Sequence, residues 1–179
     1  VPETKDQILD VAERMTQTRG FNGFSYIDLS KEIGIKTSSI HYYFKSKDDL
    51  GIALIRRAED DIQKAMNDFD NNIKAPKERL LAFAAIFKGL AEDESRFCLC
   101  GMMSAELAGL APEARINLNR YFQKVRAWLN KQFAHLDPDN AYEKSGAFIS
   151  MLEGALLIAR AERNPEIIDQ GVKIFLPKD

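Results

Sequence analysis

Pro76, Pro112, Pro138 and Pro165 each stand at the head of a stretch whose apolar residues recur at helical spacing. Proline is tolerated at the first position of a helix, because the N–H it lacks would have no intrahelical partner there. No run of the chain alternates apolar and polar residues as a half-buried strand does. The prolines and the helical spacing together predict helices over about 76–92, 96–109, 112–134, 138–162 and 165–176. Upstream, Ile8, Leu9, Val11, Ala12 and Met15 form the stripe of a first helix that runs to about Thr18 and ends at Gly20. Ser25-Tyr26-Ile27-Asp28 is a Ser-x-x-Asp start signal for a short helix that stops near Gly34. A further short helix covers about Thr37 to Phe44. Ser46-Lys47-Asp48-Asp49 opens a long one reaching about Asp70, and Asn71-Asn72 marks its end. The expected fold class is all-α, with nine helices.

Composition narrows the function classes. With 45% hydrophobic and 29% charged residues, the 179-residue chain reads as an ordinary globular protein. No apolar run approaches the roughly 20 residues that span a bilayer. No basic-then-apolar signal opens the sequence, so the expectation is a cytoplasmic protein without a membrane partner. The net charge of -2 argues against indiscriminate nucleic-acid binding, but phosphate attraction depends on where the positive charges lie. Between residues 31 and 47, Lys31, Lys36, Lys45 and Lys47 face a single acid, Glu32. The two cysteines, Cys98 and Cys100, are too close for an ordinary bridge and too few for a structural zinc site. No metal and no cofactor is expected.

Function concentrates between Phe24 and Leu50, FSYIDLSKEIGIKTSSIHYYFKSKDDL. A short helix, a turn at Gly34 and a second short helix make the anatomy of a helix-turn-helix, whose second helix enters the major groove. Ile27, Ile33, Ile35 and Ile40 are the expected apolar lock between the helices, and Phe44 and Leu50 the expected packing against the fourth. Thr37, Ser38 and Ser39 are small enough for close approach to base edges, while His41, Tyr42 and Lys47 can reach phosphates. Periodicity alone is equally compatible with a helical hairpin inside a larger bundle.

Gly34-Ile35-Lys36-Thr37-Ser38-Ser39-Ile40-His41-Tyr42-Tyr43-Phe44, followed by Lys45-Ser46-Lys47-Asp48-Asp49-Leu50, resembles the recognition segment of the tetracycline repressor (TetR) family. Gly20-Phe21 and Phe24 to Leu29 resemble that family's approach to the motif, so the likeness spans about residues 5–55. The resemblance implies a two-domain repressor: residues 1–48 as the DNA-binding domain, and 49–179 as a helical effector and dimerisation domain. It implies DNA contacts at Ser25, Thr37, Ser38, Tyr42, Tyr43 and Lys47, and Lys36, Ser39 and His41 of the same segment join them as candidates. Lys36 stands where the family often has Ser, and His41 where it often has Tyr. The implied partners are a double-stranded operator, a second copy of the chain, and a small apolar or amphipathic effector.

Beyond residue 51 the resemblance is one of architecture, and the residues carry their own signals. Gly146, Ser150 and Gly154 recur every four residues, beside Ala147, Met151, Ala155 and Ile158. Small residues at that spacing let a second helix come close, either in a homodimer interface or within one subunit. Ile167, Ile168, Val172, Ile174 and Phe175 offer another apolar face. Phe83, Phe87, Met102, Met103, Tyr121 and Trp128 are candidate effector contacts as well as candidate core, and Glu106 is a candidate polar anchor. Phe97-Cys98-Leu99-Cys100-Gly101 resembles the start of the sixth helix in a subset of the family whose cysteine senses electrophiles, so Cys98 joins the effector set. Two small buried residues are the alternative.

An enzyme or a ligand carrier is the competing class. Hydrolytic or redox chemistry needs a nucleophile–base pair or a metal cluster. The two histidines, His41 and His135, stand far apart in sequence, and no Gly-rich phosphate loop occurs. The expectation is a ligand-responsive transcriptional regulator, not an enzyme.

Overall fold

A computed structural model describes residues 4–93 and 96–176. Among them are nine α-helices and no strand: α1 (Thr4–Arg19), α2 (Tyr26–Ile33), α3 (Thr37–Tyr43), α4 (Lys47–Asn72), α5 (Pro76–Glu92), α6 (Leu99–Ala105), α7 (Pro112–Ala134), α8 (Ala141–Glu162) and α9 (Glu166–Phe175). None of the described helices is long and apolar enough to cross a membrane.

The chain divides into two compact units, Val1–Asp60 with Leu99–Tyr121, and Asp61–Cys98 with Phe122–Asp179. The boundaries fall inside α4 and α7, and packing assigns α6 to the N-terminal unit. The cut expected at 48/49 on grounds of role is therefore not where packing divides the chain.

In the first unit α1 packs on α2, α3 and α6. Ile8, Ala12, Leu29, Ile40, Leu50 and Leu54 are wholly shielded from solvent, as the helical spacing of these residues requires. Each of these leucines and isoleucines contributes about 1.5–3 kcal/mol. Glu59 of α4 is buried and takes two oxygens' worth of bonds from Arg120 of α7, at 2.7 to 3.0 Å. Fork geometry of this kind is what makes a carboxylate tolerable in a core.

In the second unit α8 packs on α5 and α9. Phe133, Phe148 and Phe175 meet edge to face at 5.4 to 5.5 Å. Lys88 of α5 holds Asp169 of α9 at 2.6 Å. Arg79 closes the α4–α5 turn by donating to the carbonyls of Ile73 and Asp70.

Two of the prolines act differently from expectation. Pro138 opens a 3₁₀ turn, Pro138–Asn140, and α8 begins after it. Asp137 accepts from the Asn140 amide at 3.0 Å and pairs with Lys144 at 2.6 Å, which holds the tighter turn. Pro165 caps α9 rather than joining it. The sixth helix is shorter than 96–109, and a 3₁₀ turn, Leu107–Gly109, follows it.

Candidate nucleic-acid interface

Ser25 caps α2 with a complete capping box. The Asp28 N–H donates to Ser25 Oγ at 3.3 Å, and the Ser25 N–H donates to Asp28 Oδ2 at 2.8 Å. The hydroxyl of Ser25, which also donates to Asp28, holds that carboxyl below its usual range, aided by the Ser25 N–H. At the other end Gly34 adopts φ 77, ψ 28, the left-handed conformation that a side chain resists, and its N–H returns to the Ser30 carbonyl at 3.0 Å. The start signal and the turn glycine were both legible in the sequence.

Gly34 sends α3 off with one buried apolar residue, Ile40, and polar side chains outward. Lys36, Ser38, His41, Tyr42 and Tyr43 are exposed, while Thr37 and Ser39 are half-buried. Tyr42 is 80% exposed, and its ring meets that of Tyr43 at 5.1 Å, nearly perpendicular. Ile27 departs from expectation. It is exposed, and the lock between α2 and the α3–α4 turn is Tyr26. The Tyr26 hydroxyl donates to the carbonyls of Phe44 at 3.1 Å and Ser46 at 2.5 Å, and its ring lies 4.8 Å from His41. Burial, with Asp49 and Asp48 nearby, pushes this phenol up to about 12. The sequence reading saw Tyr26 only as part of a start signal; a tyrosine where a core residue is needed was the missed clue.

Lys47 is expected at the phosphates from sequence, but its ammonium is turned inward. It donates to the Phe21 carbonyl at 2.8 Å and to that of Phe24, and it sits over both rings, 4.6 and 3.8 Å from their centroids. Burial holds its pKa below the usual lysine range, although Glu106 and Asp28 pull the other way. The loop it grips is held from a second side. Glu106 accepts the Asn22 N–H at 3.0 Å and occupies the space above Gly20, where a Cβ would stand 2.3 Å from Oε1. Phe21 fills the gap over Gly51, beside Met103. Glu106, expected as an effector anchor, is in this structure a brace for the loop that leads into the helix-turn-helix.

Residues 8–54 match the family described as bacterial regulatory proteins, tetR family, and residues 76–173 match the LmrA/YxaF-like C-terminal domain of transcriptional regulators. The chain belongs to the TetR family. A TetR transcriptional regulator from Legionella pneumophila is 34% identical, with a TM-score of 0.91 over 98% of this chain and 96% of that one. A TetR-family regulator from Agrobacterium tumefaciens is 26% identical, with a TM-score of 0.90 over 96% of this chain and 95% of that one. The transcriptional regulator AcuR of Cereibacter sphaeroides is 27% identical over 176 residues, 91% of this chain and 78% of AcuR. The family match makes the protein a DNA-binding transcriptional regulator.

The expected effector residues of this TetR-family chain are divided between the units. Met102, Met103, Glu106 and Tyr121 belong to the first; Met103 and Tyr121 are buried there and Met102 is half-buried. Phe83, Phe87, Cys98 and Trp128 belong to the second, and all four are buried. Phe83 stacks on Phe87 at 5.8 Å and on Trp128 at 5.6 Å, so these rings fill one another's space. Cys98 and Cys100 are both reduced and buried. Cys98 lies beside the carboxylate of Glu153, and Arg96 pairs with Asp93 at 3.8 Å. Burial and a neighbouring carboxylate both oppose a thiolate.

On α8, Ala147, Ser150 and Ile158 are exposed and Gly146, Met151 and Gly154 half-buried, whereas Ala155 is buried in its own subunit. The Met151 sulfur rests where a Cβ on Gly171 of α9 would go, so Met151 is committed to the α8–α9 contact. Leu157 and Ile174, at 61% and 82% exposure, add to the uncovered apolar surface of these two helices. Leu157 was missed by the four-residue spacing that picked out the small residues.

Proposed function

We propose that this TetR-family protein is a cytoplasmic repressor, and not an enzyme, that holds a near-palindromic operator as a dimer and leaves it when a small apolar or amphipathic molecule binds. The observation that carries this is α3: a short helix, aimed by the Ser25 cap and the Gly34 turn, whose exposed residues are a lysine, a serine, a histidine and two tyrosines. Ser25, Lys36, Thr37, Ser38, Ser39, His41, Tyr42 and Tyr43 are the proposed DNA contacts. Lys36 and the tyrosines serve phosphates, and Thr37 and Ser38 serve base edges. Lys47 acts at one remove, by fixing the loop. Roles divide at 48/49, with reading upstream and effector binding and dimerisation downstream.

Dimerisation uses the exposed face of α8 with α9, where Ala147, Ser150, Gly154, Leu157, Ile158 and Ile174 meet their symmetry mates. A two-fold dimer places two α3 helices in successive major grooves, which requires a near-palindromic site. AibR, which shares the fold at 20% identity and a TM-score of 0.76, was solved in complex with isovaleryl coenzyme A and operator DNA.

The test is a mobility-shift titration of the full chain against the DNA flanking its own coding region. A retarded, salt-sensitive complex that survives excess unrelated DNA is expected. Equal affinity for unrelated DNA would remove the operator reading.

A further inference from the structure

The aromatic cluster of the second unit is filled by its own rings, and open space in that unit occurs between α7 and α8. A groove of about 450 Å3 opens there, lined by Phe122, Arg126, Gly146, Ile149, Ser150 and Glu153. Its volume falls in the range of about 300–1,000 Å3 that suits small ligands.

Glu153 is the unusual member. Both carboxylate oxygens are shut off from solvent, and neither has a conventional hydrogen-bond donor among the described residues. Burial pushes the carboxyl up to about 7, and the nearby Cys98 thiol, a weak donor, offsets only part of that rise. A buried acceptor left in this state costs stability and calls for an explanation.

A cation does share the groove, but it is engaged elsewhere. The Arg126 guanidinium lies 5.1 Å from the Tyr142 ring centroid, over its face. Gly146 makes this possible, since a Cβ there would stand 3.2 Å from Arg126 Nη2. Arg126 Nε is itself buried without an acceptor among the described residues. The groove thus holds a carboxylate that its own arginine does not neutralise.

We propose that this groove takes a small primary amine on an apolar body, the Glu153 side chain turning its carboxylate into the groove to accept from the ammonium and the body lying along Phe122 and Ile149. An ammonium carries three donors, enough for both oxygens and one further acceptor. Pairing inside a desolvated site is stronger than at the surface, and the cost of burying the carboxylate has already been met on folding. A carboxylate ligand would face a like charge, and an alcohol could satisfy only one oxygen. This assignment names the effector class for the regulator proposed above, and it rests on that reading only for the consequence that occupancy releases DNA.

The test is calorimetric titration of the full-length homodimer with 2-phenylethylamine, 2-phenylethanol and phenylacetate, which share a body and differ in the end group. The amine should bind at least tenfold tighter than either of the others. Glu153→Gln, which keeps shape and folding, should cost the amine at least tenfold and leave the alcohol unchanged. Phe122→Ala should weaken amine and alcohol alike. No amine binding, tighter binding of phenylacetate, or an amine affinity indifferent to Glu153→Gln would each overturn the assignment. Adding 2-phenylethylamine to the protein–operator complex then separates the two readings: bound amine with the DNA retained leaves the site standing and removes its role as the switch.

Discussion

Glu106 accepts the backbone N–H of Asn22 at 3.0 Å, so a residue just past α6 holds the loop that feeds the helix-turn-helix 84 positions earlier. Gly20 makes the contact possible by leaving room for the carboxylate. A hydrogen bond to a charged acceptor is worth about 1.5–3 kcal/mol. Glu106→Ala should therefore loosen the loop and lower operator affinity about tenfold, with Glu106→Gln restoring most of it. The salt dependence of binding should not change, because no phosphate contact is lost. An altered salt slope measured by fluorescence anisotropy would place Glu106 in the DNA interface instead.

Lys36 and Lys47 separate the two ways a lysine can support DNA binding. Lys36 is exposed at the start of α3, and Lys36→Ala should reduce the slope of log affinity against log salt by about one. Lys47 is spent on the carbonyls of Phe21 and Phe24. Lys47→Ala should lower thermal stability by several degrees and weaken DNA binding with the slope intact. A flattened slope for Lys47→Ala, with unchanged melting, would restore it to the phosphate backbone.

The contrast between these lysines shows what the chain reveals in one dimension. Ser25, Gly34 and the four prolines act on their immediate neighbours, so cap, turn and helix count could be read from spacing alone. The same holds for Ile40 and Leu50, whose burial follows from helical periodicity. Lys47, Tyr26 and Glu106 act on groups 18 to 84 positions away, and their partners are backbone atoms that carry no sequence signature. Glu153 was passed over for a related reason. A glutamate on an amphipathic helix is ordinarily solvated, and only the packing around α8 shows that its oxygens are not.

Gly154 tests the dimer. A Cβ there would meet nothing within 4 Å in the subunit, so a larger side chain can be introduced without disturbing the monomer fold. Gly154→Glu would bring two carboxylates to the seam of a two-fold interface, where each lacks a partner. Sedimentation at micromolar concentration should show monomers, with helical content preserved by circular dichroism. An unchanged dimer would move the interface off this part of α8.

The raised Glu153 carboxyl makes a signed prediction about stability. Its ordinary value is 4.5, and in the fold it titrates at about 7. Between those values the native state binds more protons than the unfolded chain, so stability must fall as pH rises through this window. Below it both states are protonated and no penalty exists; above it both are ionised and the penalty is complete, on the order of 3 kcal/mol at most. The groups at the carboxylate are the Cys98 thiol, from the segment before α6, and in the same groove the Arg126 guanidinium of α7. Glu153→Gln removes the titrating group and keeps the shape. Denaturant midpoints at fixed protein concentration should match for wild type and variant near pH 4.5, then separate in favour of the variant up to about pH 7. A difference independent of pH would mean that the carboxylate is solvated in the native protein, and the buried acceptor on which an amine could dock would not exist.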